Sequence, residues 1–175
     1  GVSFYNLDGE SYANSLQLEF NYNVFTHFDL RLAYKHYDVK TQYTSGKLEK
    51  PLTPQHRLFA NASYETKAQE KGGKWKFDAT YNWLSKQRFP STVSNPVAYQ
   101  VPAYSPTVGT LNAQITKVFS PKFEIYVGGE NITNVRQENA ILAPNDPFGS
   151  YFDTTFVYGP IFGSMYYAGL GFKIK

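Results

Sequence analysis

Seven segments of this sequence alternate apolar and polar residues with a period of two, and the connections between them run short, long, short, long, short, long. A period of two puts successive side chains on opposite faces of an extended strand, so each segment reads as a β-strand with one greasy and one polar side. The first, over 12–22, sets Leu16, Leu18, Phe20 and Tyr22 against Gln17, Glu19 and Asn21. The second, over 28–38, sets Phe28, Leu30, Leu32 and Tyr34 against Asp29, Arg31, Ala33 and Lys35. A third over 55–65 opposes Leu58, Ala60, Ala62 and Tyr64 to Arg57, Phe59, Asn61 and Ser63; a fourth over 75–84 opposes Trp75, Phe77, Ala79, Tyr81 and Trp83 to Lys76, Asp78, Thr80 and Asn82. The fifth, 108–118, carries Leu111, Ala113 and Ile115 opposite Asn112, Gln114 and Thr116, and the sixth, 123–131, carries Phe123, Ile125 and Val127 opposite Glu124, Tyr126 and Glu130. The seventh, 165–174, sets Tyr166, Ala168, Leu170, Phe172 and Ile174 against Tyr167, Gly169, Gly171 and Lys173.

The links 23–27, 66–74 and 119–122 are short; the loops 39–54, 85–107 and 132–164 are long and hold most of the prolines. Proline and glycine at this density break both helices and strand interiors. Short turns at one end and long loops at the other are the mark of an up-and-down outer-membrane barrel, whose short side is periplasmic. The expected fold is all-β, an antiparallel transmembrane barrel segment of about seven strands. Such barrels have an even strand number, so seven points to part of a larger barrel. With an odd count, the first and last strands run the same way and cannot close on each other antiparallel. The expectation is two outer strands, 12–22 and 165–174, with no ladder between them.

In a membrane the apolar faces would meet lipid and the polar faces a wet lumen. Aromatics form 18% of the chain, and Trp75 and Trp83 lie at opposite ends of one strand, as the two interfacial girdles of a barrel require. The lumenal face is expected to carry Glu19, Asp29, Arg31, Lys35, Arg57, Lys76, Asp78, Glu124 and Glu130. A mean hydropathy of −0.44 is no objection, because a half-apolar strand averages out. No apolar run approaches the roughly 18 residues that a membrane helix needs.

The final third resembles a known family. GENITN at 129–134, RQEN at 136–139, NDPFGSYFD at 145–153 and YGPIFG at 158–163, in this order before a terminal strand, resemble the C-terminal barrel end of TonB-dependent outer-membrane receptors of Bacteroidetes type. KPLTPQHR at 50–57 is one further familiar piece. The resemblance implies that 1–175 is the C-terminal part of the barrel domain, with the plug domain outside this chain. It implies import of a scarce ligand, with outer-membrane lipid, the plug and remaining strands of the same receptor, and a TonB-type energising protein as partners. The C-terminus would be periplasmic and the three long loops extracellular. It gives Gly129, Glu130, Asn131, Asn134, Asp146, Pro147, Phe148, Gly149, Asp153, Gly159 and Pro160 structural roles in seating the last loop on the barrel rim. Tyr99, Tyr104, Phe148, Tyr151, Phe152 and Tyr158 are loop aromatics able to contact ligand, or equally to pack loop on loop.

Other chemistries find little footing. The net charge of +3 is dispersed, which gives no basis for nucleic-acid binding. With no Cys there is no disulfide, thiolate metal site or Cys nucleophile. No nucleophile–base motif argues for an enzyme, and His27, His36 and His56 lack metal-ligand spacing, so neither cofactor nor metal is expected. Asp146 and Asp153 could help hold a cation, but turn formation is the commoner use of loop Asp. The sequons at Asn61 and Asn131 fall in strand patterns and read as chance. Neither a signal peptide nor an initiator Met is present at Gly1, so a piece of a mature chain is expected. Two alternatives keep the alternation: a small stand-alone outer-membrane barrel (pore or adhesin), and a soluble lipocalin-like barrel with the apolar side inward.

Overall fold

The computed structural model describes residues 10–43 and 46–174. Eight strands form one antiparallel sheet: β1 (Tyr12–Phe25), β2 (Phe28–Tyr43), β3 (Gly46–Glu49), β4 (His56–Glu65), β5 (Lys74–Leu84), β6 (Val108–Ser120), β7 (Phe123–Glu130) and β8 (Met165–Phe172). Seven follow chain order across the sheet, and β3 pairs with the far end of β2. Among the described residues the sheet is open: β1 pairs only with β2, and β8 only with β7. The expected absence of a ladder between the outer strands is therefore found.

Three expected boundaries are corrected. The loop expected at 39–54 begins as strand, because β2 continues to Tyr43 and folds back on β3 through Lys40↔Glu49 to Tyr43↔Gly46. That makes eight strands rather than seven. The link 23–27 shrinks to the pair Thr26–His27, with His27 in the left-handed region at φ 67° and a bulge at Asn23/Phe25 absorbing the change of direction. The link 119–122 shrinks to Pro121–Lys122, again beside a bulge, at Val118/Ser120. The expectation for 1–11 falls largely outside the described residues.

Register carries the two-faced pattern through the whole sheet. Phe20, Leu32, Ala60, Tyr81 and Leu111 lie in one row, and Phe28, Tyr64, Phe77, Ile115, Val127 and Ala168 in another. Between such rows, on the opposite face, run Asn21, Arg31, Asn61, Thr80 and Asn112. A slip of one residue would exchange the faces entirely.

Neither face of the sheet is covered. The chain exposes 12417 Å², against about 8,700 Å² for a compact monomer of its mass. Among the described residues the buried apolar side chains are Phe89, Val108, Val118, Ala143 and Phe156; three belong to loops and two to the ends of β6. Packing is thus concentrated in the loop layer above the sheet.

Candidate functional site

Three surfaces have functional potential: the polar face, the apolar face and the loop layer. On the polar face, alternation and register place Glu19, Asp29, Arg31, Lys35, Arg57, Lys76, Asp78, Glu124 and Glu130 together, as the sequence indicates. Local partners restrain several of these residues. Asn23 Nδ2 donates to Asp29 at 2.8 Å, and Asn61 Nδ2 donates to both Asp78 oxygens at 3.3 Å and to Thr80 Oγ1 at 2.9 Å. The Arg31 guanidinium lies 5.8 Å from the Phe59 ring centre, and the Lys35 ammonium 5.5 Å from that of Tyr37. Lys74 and Glu65 form the one ion pair among the described residues, at 2.7 Å. Near the short-turn end Asp29, Glu65, Lys76 and Asp78 line a hollow of about 580 Å³ with His27, Gln114 and Tyr167. The charges are spread along the face rather than converging on a point, so the surface can hold water or a polar partner over a wide area.

The apolar face is the opposite in chemistry and equally bare. Leu18, Phe20, Val127 and Leu170 are 57, 54, 51 and 67% exposed. A belt of rings crosses this face near the short turns: Phe25 on Phe28 at 5.0 Å, Tyr64 on Phe77 at 6.2 Å, Trp75 on Phe77 at 6.4 Å, and Phe119 on Phe123 at 5.5 Å. Tyr34, Tyr81 and Trp83 lie toward the other end. Toward the long-loop end of β1 and β2 the face turns polar, with Asn14, Asp38 and Lys40; between there and the short turns, three polar side chains interrupt it. His36 and His56 are register partners whose Nδ1 atoms lie 3.4 Å apart, and Tyr34 Oη is 2.7 Å from His56 Nδ1. Among the described residues no three His, Asp or Glu group to hold a metal. The third is Lys117, in the row of Trp75, Ile125 and Leu170.

In the loop layer, the RQEN and GENITN motifs act as fasteners. Gln137 is buried; its Oε1 accepts from Tyr158 N at 2.9 Å and Gly159 N at 3.3 Å, its Nε2 donates to Phe156 O, and its own N–H donates to Pro160 O at 2.7 Å. Asn131, at φ 50°, grips Val135 with both ends of its amide, at 2.7 and 3.0 Å. Asn134 Oδ1 accepts from Ser164 N, joining the two ends of the long loop. Gly129 lies under the Tyr166 ring, and Glu130 pairs with Met165. Asp153 Oδ1 accepts from Thr155 N and Oγ1, and the carbonyl of Asp146 accepts from Gly149 N across the Pro147–Phe148 turn, so both acids are turn residues here.

Of the loop aromatics, Tyr158 packs on Phe89 at 5.6 Å, and burial, with Glu138 nearby, raises its phenol above the ordinary value. Tyr99 stacks on Tyr151 at 5.6 Å, tying the two longest loops together. Tyr104 lies under the Lys86 ammonium at 4.5 Å. Phe152 is partly exposed, whereas Phe148 is 99% exposed. The sequence marks Gln137 only as part of the RQEN motif, without its role, and does not reveal Gln87, whose Nε2 reaches Tyr158 O at 3.0 Å, or the Phe89–Phe156 contact. Their partners are far away in the chain, so no local pattern marks them.

Compared with protein-family models, curated proteins and solved structures, this chain matches none. What the fold defines is a class of architecture: an open, antiparallel, up-and-down sheet with uncovered faces of opposite polarity and loops sorted by end. Among the described residues no helix is long and apolar enough to cross a membrane, which has no bearing on crossing by strands.

Proposed function

We propose that this chain is wall and extracellular loops of a TonB-dependent outer-membrane receptor, importing a scarce ligand. The observation that carries the membrane part is the uncovered apolar face with its ring belt, set back to back with a charged face. Exposed apolar patches beyond a few hundred Å² are rare on soluble monomers, and this one covers one side of a sheet. The seven strands other than the short β3 run to 8–16 residues, which suits the roughly 9–11 that a tilted span needs. The family and the TonB partner rest on the motifs GENITN, RQEN, NDPFGSYFD and YGPIFG, whose residues serve here as loop fasteners.

The open edges favour a segment over the two alternatives. A stand-alone pore would join its first and last strands, because unpaired backbone groups in lipid cost several kcal/mol each, and a soluble lipocalin-like barrel would join them to leave no exposed edge. Both edges here run toward the short-turn side. An antiparallel closure therefore needs an odd number of further strands, restoring the even total of such barrels. On this reading the polar face meets the plug, and Phe148, at the tip of the last loop, faces incoming ligand.

Membrane fractionation tests the reading. The protein should stay with the outer membrane through an alkaline carbonate wash and leave it only in detergent. Recovery as a monodisperse detergent-free monomer would overturn the proposal and promote the soluble barrel.

A further inference from the structure

We infer that Lys117 seats the phosphate of an anionic phospholipid from the periplasmic leaflet, whose acyl chains lie along the apolar face. The inference rests on the membrane reading above. Lys117 belongs to the apolar face by register: it pairs with Trp75 on one side and Ile125 on the other, and Ile125 with Leu170 beyond. Its ammonium lies 4.7 Å from the Trp75 ring centre and 6.0 Å from that of Phe119. A cation over these ring faces is held by their quadrupoles, and Lys117 is only half-buried.

The position along the strand fixes the depth. Lys117 lies three residues before the end of β6 at Ser120, about 10 Å along the strand, and its contacts with Trp75 and Phe119 set it in the ring belt near the short-turn rim. A lysine further toward the midplane would be costly; here its stem lies on apolar surface while the ammonium reaches the headgroup level. No carboxylate among the described residues pairs with it, the one ion pair being Lys74–Glu65 on the polar face. The charge is complementary to a phosphodiester. Lys122 and Lys173, joined where Lys173 N donates to Lys122 O at 2.8 Å, border a hollow of the polar face with Lys76 and Glu124 and take no part in this seat. Lipid chains descending from a phosphate at Lys117 would lie against Ile125, Ile115 and Leu170, which are 40, 42 and 67% exposed.

Native mass spectrometry of the detergent-solubilised receptor that carries this chain, titrated with phosphatidylglycerol and with phosphatidylcholine, tests the assignment. The first phosphatidylglycerol should bind more tightly than phosphatidylcholine, and Lys117→Gln should weaken it about fivefold, the worth of one surface lysine against an anionic lipid. Lys117→Arg should preserve binding, and phosphatidylcholine should bind all three alike. Heat-modifiable gel migration of each variant confirms folding. Equal phosphatidylglycerol affinity for wild type and Lys117→Gln, or no preference over phosphatidylcholine in the wild type, overturns the inference while leaving the membrane reading standing. A receptor that stays in solution without detergent removes both.

Discussion

Gln137 shows how much one buried amide can secure. Its side chain meets Phe156 O, Tyr158 N and Gly159 N, so Gln137→Ala would strand backbone groups in a packed loop layer. Each such group costs about 1–3 kcal/mol. The expected outcome is faster limited proteolysis within 131–164 with the sheet intact; unchanged cleavage would show that water replaces the amide freely. Next to it, Tyr158 gives a pH signature. Its phenol is raised by burial, so the contribution to stability is complete below the ordinary value of about 10 and fades as pH rises through the raised value. The loop layer should loosen in alkali, read by proteolysis alongside phenolate absorbance, and Tyr158→Phe should abolish that loosening. A third residue-scale test sets neighbours against each other. Leu30→Arg puts a cation on the apolar face, at about 2–4 kcal/mol if that face meets lipid, while Arg31→Leu alters the wet side. Equal folding yields of the two in detergent refolding would show the assignment of the apolar face to lipid to be wrong.

At the scale of elements, what could be read from the sequence was whatever has a period. All seven alternating strands are present, because a face of Leu18, Phe20, Leu32 and Tyr81 cannot be sorted from its polar partners in any other conformation. β3 escaped because Gly46, Lys47, Leu48 and Glu49 show no sorting of their own; they pair only because β2 overshoots β4 and leaves an edge. Lys117 escaped because it breaks the alternation near a strand end, and the His36–His56 contact because it spans a register no local window contains. The last hairpin adds a device that the glycines hint at. Tyr126 lies over Gly169 and Tyr167 over Gly128, with Tyr167 Oη donating to Gln114 at 2.8 Å. A two-residue slip keeps the faces but sets Tyr126 against Tyr167, or glycine against glycine. Gly-rich strands hold register weakly, and these ring-over-glycine contacts compensate. Gly169→Val should displace the Tyr126 ring and lower the yield of folded protein, seen as a smaller heat-modifiable fraction. Full yield would mean that register is set elsewhere.

For the molecule as a whole, the open sheet makes the described chain dependent on further strands if it is to sit in lipid. Expressed alone it should fail to acquire heat-modifiable migration in detergent, whereas the receptor carrying it should migrate as a closed barrel; a compact, heat-modifiable form of the isolated chain would favour the stand-alone alternative. The like-directed edges, β1 and β8, have a further consequence for company. Identical copies standing upright side by side would meet at a seam where both strands point the same way, and every other junction in the sheet is antiparallel. Turning one copy over would mend the seam only by carrying its long loops to the wrong side of the bilayer. A homomeric ring is therefore an unnatural assembly for this sheet, and its proper neighbour is a polypeptide segment unlike itself.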